Sequence, residues 1–462
     1  MLKKIIGEKF IHLFFAVLVA VFVGLTILTF DFKSIVILGL AAFAIFALVK
    51  MEYTFYFILA GRSVLDIFYQ AETAGDVRIT QFVAVIITVL FLFYFLTTRY
   101  NPLQTSVNKI YLAFLAFAIL SVFLSKSPFS GFIDWLKLLQ GFLFLNMTIL
   151  LILKDGEDLY IKKIKAVCWS AIISLFIPYI LFLKNVIQGV HIEMGGYERY
   201  FTFGSYANLF SYYLLAVFPF CIFLRSITSE KPKKMAWVIF MVLIILTIYK
   251  TYTRNVWLGI AVLLFVWNLI RKRTKLTLAL IVFLILVMAF NPTVQDRLKD
   301  AYILLNSNSF YNMDPGLLSS RIGIWQSNVR YFMKESSLLN KLLGNGFDVQ
   351  TETTINDMAF AMPEHNNYLT ILMATGIIGL VLYCSYILKL LWEGLKLLRR
   401  TNAVYPKHIA QVFVPLVCAY LVVSFFTHMI WKLNFQYFFS VLAGIVVGIN
   451  ILDERKRNLK GS

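Results

Sequence analysis

Four polar residues stand beside the ends of long apolar runs, where a charge is costly and ordinarily faces a cavity. Arg199 lies in Tyr197-Glu198-Arg199-Tyr200-Phe201, ahead of a run that carries Asn208. Arg254 lies in Thr251-Tyr252-Thr253-Arg254-Asn255-Val256-Trp257, a hairpin between two runs. Arg321 opens a helical pattern, and His365 sits in Pro363-Glu364-His365-Asn366-Asn367-Tyr368. Three guanidiniums on one cavity would suit a dense anion, because each planar fork matches phosphate oxygens two at a time. A diphosphate leaving group needs such charge as its bond breaks, a role that Mg²⁺ fills elsewhere. The chain has no Asp-x-Asp pair, so arginine is expected in place of a metal clamp, with no cofactor. His365 could take a proton from an acceptor hydroxyl near neutral pH, with Glu364 as the competing base.

Each residue also has a plainer role. An arginine near the end of a membrane span snorkels to lipid headgroups, and a histidine at a helix start caps it or packs there. Trp325 reads as an interfacial anchor before it reads as a sugar platform. Gly344 and Gly346 read as a turn before a phosphate loop. Gly376 and Gly379 point to close helix packing. His12, His191, His408 and His428 are read as ordinary packed or surface side chains.

The scaffold that positions these groups follows from composition. Of 462 residues, 60% are hydrophobic and 15% charged, against about 45–50% and 25% in a soluble protein. Mean hydropathy is +0.78. Most of the chain must therefore meet lipid, which excludes a soluble enzyme, a disordered regulator and a secreted disulfide scaffold. Cys168, Cys221, Cys384 and Cys418 all fall inside apolar runs and read as small hydrophobes.

A helix needs about 20 apolar residues to cross the bilayer core. On that rule spans are predicted near 10–29, 34–49, 52–69, 80–97, 108–124, 134–153, 164–184, 203–224, 235–252, 256–270, 276–291, 366–393, 409–429 and 433–452. The fold class is an all-α polytopic membrane protein of about 12–14 transmembrane helices. The third span is interrupted by Arg62 and Asp66. Lys3, Lys4 and Lys9 precede an apolar stretch without a small-residue cleavage site, so the first span is expected to be retained.

Net charge is +19. With Met1 cytoplasmic, basic clusters such as Lys162/Lys163/Lys165, Lys231/Lys233/Lys234, Arg271/Lys272/Arg273 and Arg455/Lys456/Arg457 fall on inner segments, and both termini are cytoplasmic. The charge then answers anionic membrane lipids, and no nucleic acid is needed. The organisation is 1–291 helices, 292–365 an extracytoplasmic loop, 366–452 helices and 453–462 a cytoplasmic tail. Structureless loops longer than about 12–15 residues are uncommon and usually functional. Within this loop Ser319 and Ser320 lead into a stripe at Ile322, Trp325, Val329 and Phe332, a helix expected along the membrane interface.

The ordered set Thr253-Arg254, Ser320-Arg321 with Trp325, Leu343-Gly344-Asn345-Gly346, His365-Asn366-Asn367-Tyr368-Leu369 and Gly376-Ile377-Ile378-Gly379-Leu380 resembles the O-antigen ligase/polymerase superfamily. These are GT-C-like membrane glycosyltransferases, and the resemblance covers about residues 195–385. It implies transfer of an undecaprenyl-diphosphate-linked glycan, on the outer face of the bacterial cytoplasmic membrane, to an acceptor hydroxyl. It implies Arg254 and Arg321 on the diphosphate, with Arg199 where another functional arginine is often found, and His365 as base. Trp325, Asn366 and Glu364 would join the substrate site. Many members have Ser-Arg where this chain has Thr253-Arg254. Many also have an Asn-Pro-Asn-like run after the early arginine, where this chain keeps only Asn208. The acceptor would be a second glycan, as in a polymerase, or a lipid A core, as in a ligase, with a chain-length regulator as a partner. The reading from another class is a lipid-linked oligosaccharide flippase, which would place its charges within spans and carry internal repeats.

Overall fold

The computed structural model describes residues 50–63, 79–154, 157–193, 198–202, 207–278, 318–347, 352–355, 358–361 and 365–461, with Ala47 and Val282. The predicted span 10–29, all of 34–49 but Ala47, most of 276–291, and Glu364 lie outside them. Among the described residues eight helices are long and apolar enough to cross a membrane, and the chain is an all-α polytopic membrane protein.

In chain order the helices are α1 Met51–Gly61, α2 Ile79–Thr97, α3 Ser106–Leu124, α4 Pro128–Lys154, α5 Glu157–Ile173, α6 Phe176–Ile187, α7 Ala207–Ile227, α8 Lys231–Lys250 and α9 Arg254–Ile270. After the loop come α10 Leu318–Lys334, α11 Leu338–Leu343, α12 Asn367–Arg400, α13 Val404–Val423 and α14 Leu433–Gly461. The expected span 164–184 lies within one span, Tyr160–Ile187, which a short turn at 174–175 interrupts ahead of Pro178, whose ring nitrogen cannot donate to the preceding turn. Of the expected span 52–69, the part up to Gly61 is α-helical and 62–63 continue as a 3₁₀ turn, while 64–69 lie outside the described residues.

The innermost pillars are α7 and α14, whose side chains are buried around almost their whole circumference. Phe144 of α4 stacks on Tyr437 of α14 (4.0 Å, 15°), and Gly444 and Gly448 let α14 close on α4 at Leu145, Thr148 and Ile152. Helix α8 is peripheral: Met235, Ile239, Val242, Leu243 and Leu246 face outward, as apolar side chains can where the solvent is lipid. Cys168 and Cys221 are buried, Cys384 and Cys418 partly so, and all four are free thiols.

Helix α12 was expected to be one span; it is broken at Gly376, where φ is +68° and ψ −170°. That conformation is close to glycine-only. The break frees carbonyls that a continuous helix would bond, and the 344–346 turn takes them up. Asn345 N–H donates to Met373 (2.8 Å) and Gly346 N–H to Ala374 (3.3 Å). Gly344 and Gly346 form the expected turn, at φ +91° and +98°. Gly376, expected to allow helix packing, instead allows this loop to approach, since a Cβ there would lie 2.3 Å from the Leu342 oxygen. Gly379 faces its own helix's Thr375. The turn is also pinned to α3: Ser121 donates to the Leu343 carbonyl (3.2 Å) and Phe347 N–H to Ser125 Oγ (3.0 Å).

Helix α10 packs against α12 and against the hairpin of β3 Glu352–Ile355 and β4 Met358–Ala361. Only helical patterns were anticipated in this loop, so the hairpin is a correction. The buried stripe of α10 is also displaced from the expected one. Ile324, Asn328 and Phe332 are buried, Trp325 is partly exposed and Val329 exposed. Asn328 satisfies its amide on the Ile324 carbonyl (2.8 Å), so a residue that reads as polar sits on the inner face.

Candidate functional site

The turn between α8 and α9 is fixed before its arginine is considered. Buried Thr253 donates to the side-chain oxygen of Asn208 (3.1 Å), and Asn255 Nδ2 donates to the Tyr212 hydroxyl (2.6 Å). These two bonds fasten the start of α9 to α7 on either side of Arg254. Arg199 arrives on a small hairpin, β1 Ile192–Glu193 with β2 Glu198–Arg199, in which Ile192 faces Arg199. Tyr200 N–H then donates to the Lys250 carbonyl (3.4 Å) at the end of α8, and Lys250 Nζ lies 5.9 Å from the Tyr200 ring centre. Arg199 and Arg254 thus approach one corner of the bundle. Arg199 is half-buried, its Nε makes no hydrogen bond, and burial holds its guanidinium below the ordinary arginine value. A buried unsatisfied donor costs about 1–3 kcal/mol, a cost an arriving anion would relieve.

His365 has φ +48°, a left-handed backbone. The other non-glycine residues of this kind among those described, Arg99, Tyr252 and Lys272, each follow a helix end, where such a residue is an ordinary stop. His365 instead precedes a helix, and such strain, about 1–3 kcal/mol, persists only where packing enforces it. The cap of α12 is Asn366, not His365: its side-chain oxygen accepts from Tyr368 N–H (3.0 Å) and Leu369 N–H (3.2 Å).

Asn367 fastens this segment to the connection between α13 and α14. Its N–H donates to Ser424 (2.8 Å), its Nδ2 to the Tyr383 hydroxyl (2.6 Å), and its Oδ1 accepts from Ile430 N–H (2.9 Å). Gln436 completes the network on Tyr420 (3.2 Å) and on the Met429 carbonyl (2.9 Å). The connection thereby carries His428 to His365: the two rings lie 5.0 Å apart at 35°, and His428 Nδ1 is 3.2 Å from the Thr370 hydroxyl. The sequence reading took His428 for an ordinary packed or surface side chain and gave no role to Tyr212 or Asn255. A histidine in a short polar connection that also carries Trp431 and Lys432 was the available signal.

The arginine corner and the histidine pair share one end of the bundle. Gly259 lies so near α13 that a Cβ would stand 2.8 Å from Val423 Cγ2, and the next residue, Ser424, is the acceptor for Asn367. Arg254 begins α9 about 7.5 Å beyond Gly259 at 1.5 Å per residue. Arg321 lies in α10 three residues before buried Ile324; its side chain is outside those described, as is Glu364.

Residues 239–384 match the family model described as O-Antigen ligase. The superfamily expected from the motifs is the one matched. The segment holds Arg254, Arg321 and His365; it excludes Arg199 and the 424–432 connection. No curated protein matches the chain. The family implies glycosyl transfer of the O-antigen ligase/polymerase type by a multi-pass membrane protein, acting on lipid-linked glycan and an acceptor.

Proposed function

We propose that the protein is a surface-polysaccharide polymerase of the bacterial cytoplasmic membrane, with its termini cytoplasmic and its His365 end outside. It would move a glycan whole from undecaprenyl diphosphate to the end of a second lipid-linked glycan. Arg254, Arg321 and Arg199 bind the diphosphate, and Trp325 and Asn366 line the glycan's path. His365 removes the acceptor's hydroxyl proton, and the oxygen attacks the anomeric carbon opposite the phosphate. The carbon–oxygen bond to phosphate breaks, its electron pair leaves with undecaprenyl diphosphate, and the configuration inverts. No metal takes part.

The observation that carries this reading is His365 itself. It is held left-handed against His428, at the same end of the bundle as the arginine corner. Purified protein incubated with lipid-linked repeat units is expected to give longer glycans. His365→Ala should lower that rate by roughly 10²–10⁴, the usual worth of a general base. A wild-type rate in that variant would remove His365 from the mechanism and leave Glu364. Products found only on a lipid A core would assign a ligase, and leaflet exchange without new bonds a flippase.

A further inference from the structure

We propose that Lys432, with Lys137 beside it, forms a phosphate-binding subsite on the connection between α13 and α14, outside the segment the family model matches. The ligand is a phosphate or diphosphate headgroup on a prenyl-linked glycan. This rests on the transferase reading for its biological substrate, though not for its chemistry.

The geometry is built from the turn outward. The 3₁₀ turn Met429–Trp431 ends at Lys432, whose carbonyl accepts from Phe435 N–H (2.9 Å) and Gln436 N–H (2.9 Å). The lysine's backbone is therefore fixed at the start of α14. Its ammonium is 6.0 Å from the centre of the Tyr212 ring, and Tyr212 is bonded to Asn255, the neighbour of Arg254. Lys432 thus stands across one aromatic ring from the arginine corner, and four residues past His428.

Its other neighbour is Lys137 of α4, whose ammonium lies 5.9 Å from the Trp431 ring centre. Lys137 is paired with Asp134 (2.5 Å). Lys432 has no carboxylate partner among the described residues. Burial, and then the Lys137 charge, lower its pKa from the ordinary lysine value. About one turn deeper, Tyr437 bonds Gln140, and the Arg62 guanidinium carbon is 5.3 Å from the Tyr437 ring. Two ammoniums with one carboxylate leave net positive charge in a partly buried place, with ring faces as the remaining compensation. A lysine ammonium, with three donors on a flexible stem, binds phosphate as a point charge.

The test uses the full-length protein in nanodiscs. Sugar-free undecaprenyl diphosphate is titrated into wild type, Lys432→Met and Lys432→Arg, with undecaprenol as the uncharged control. Transfer is measured with acceptors bearing and lacking phosphate. Lys432→Met is expected to weaken diphosphate binding, or raise KM for the phosphorylated acceptor, by about tenfold or more, while Lys432→Arg stays within about threefold of wild type. Loss in the titration assigns the subsite to the donor; loss confined to that KM assigns it to the acceptor. No loss in either overturns the proposal. Equal loss for undecaprenol, or an arginine variant as weak as the methionine one, also overturns it, because charge would not be the cause. Should Lys432→Met fail to fold, Lys137→Met must show the same selective loss or the subsite is refuted. Wild-type protein that transfers nothing yet binds diphosphate through Lys432 would end the transferase reading and leave the subsite standing.

Discussion

Replacing Gly376 with alanine attacks the break in α12 and tests whether that break frames the site. At φ +68° and ψ −170° an alanine is strained by about 1–3 kcal/mol. Its Cβ would also stand 2.3 Å from the Leu342 oxygen and 2.6 Å from Gly344 N, both backbone atoms without a rotamer to turn away. The 342–347 turn must therefore shift, which endangers the bonds from Asn345 to Met373 and from Gly346 to Ala374. Each such bond is worth about 0.5–1.5 kcal/mol net. The total loss is then about 2–6 kcal/mol, a large part of a typical stability of about 5–15 kcal/mol. The turn reaches the end of α10 through Asn345 Nδ2 on Ser336 Oγ (3.3 Å), just past Lys334, and Ser336 N–H in turn donates to the Tyr331 carbonyl of α10 (3.1 Å), so the helix that carries Arg321 should loosen with it. Thermal unfolding in detergent and glycan transfer in nanodiscs read the two consequences. Gly61→Ala is the control, since a Cβ there meets nothing within 4 Å. If Gly376→Ala melted and turned over like Gly61→Ala, the claim that the broken helix organises the site would be wrong.

Two further outcomes are expected. Asn208→Ala removes the nearer of two acceptors for buried Thr253, the other being the Thr251 carbonyl (3.4 Å), and should cost about 1 kcal/mol in unfolding while slowing transfer several-fold through Arg254, with Asn208→Asp nearer wild type; an unchanged rate would show that Arg254 does not depend on this clamp. Because the free Lys432 ammonium titrates below the ordinary lysine value and an anion favours its charged form, diphosphate affinity should be full below that lowered pKa and fall as pH rises through it; Lys432→Arg should carry the plateau to higher pH, and coincident profiles would contradict the assignment.

The described spans were legible because apolar length is a property of composition along the chain. The motif residues stood out in the sequence because a cation or an imidazole beside an apolar run is rare. The frame was less so. Asn328 shows why: its amide is satisfied on its own helix, so burial left no apolar mark, and the stripe of α10, read at Ile322, Trp325, Val329 and Phe332, was right at Phe332 but took partly exposed Trp325 and exposed Val329 for inner positions. His428 was read as an ordinary packed or surface side chain and Lys432 was not singled out, because the contact of each is with a residue far away in sequence, His365 and Tyr212. The break at Gly376 was masked by apolar neighbours on both sides, which keep the hydropathy of one unbroken span.

That break gives the two glycine motifs a single purpose. Backbone groups at membrane depth must be bonded within the protein, so a helix can be interrupted only where other backbone or a cavity answers it. Gly376 opens the carbonyls of Met373 and Ala374, and Gly344 and Gly346 let the loop's own N–H groups close on them without a Cβ in the way. The short arm from Asn367 to Thr375 is then a separate half-helix, free of the direction of the rest of α12. Its N-terminus bears partial positive charge, and that end is where Asn366 caps and His365 stands. Broken helices place such ends against anionic substrate groups in membrane transport proteins. Here the same device would hold a strained histidine beside a headgroup, while Asn367 ties the arm to the 424–432 connection and so to His428 and Lys432. Loop, half-helix and connection are one mechanical unit, which is why a methyl group at Gly376 is expected to reach the chemistry.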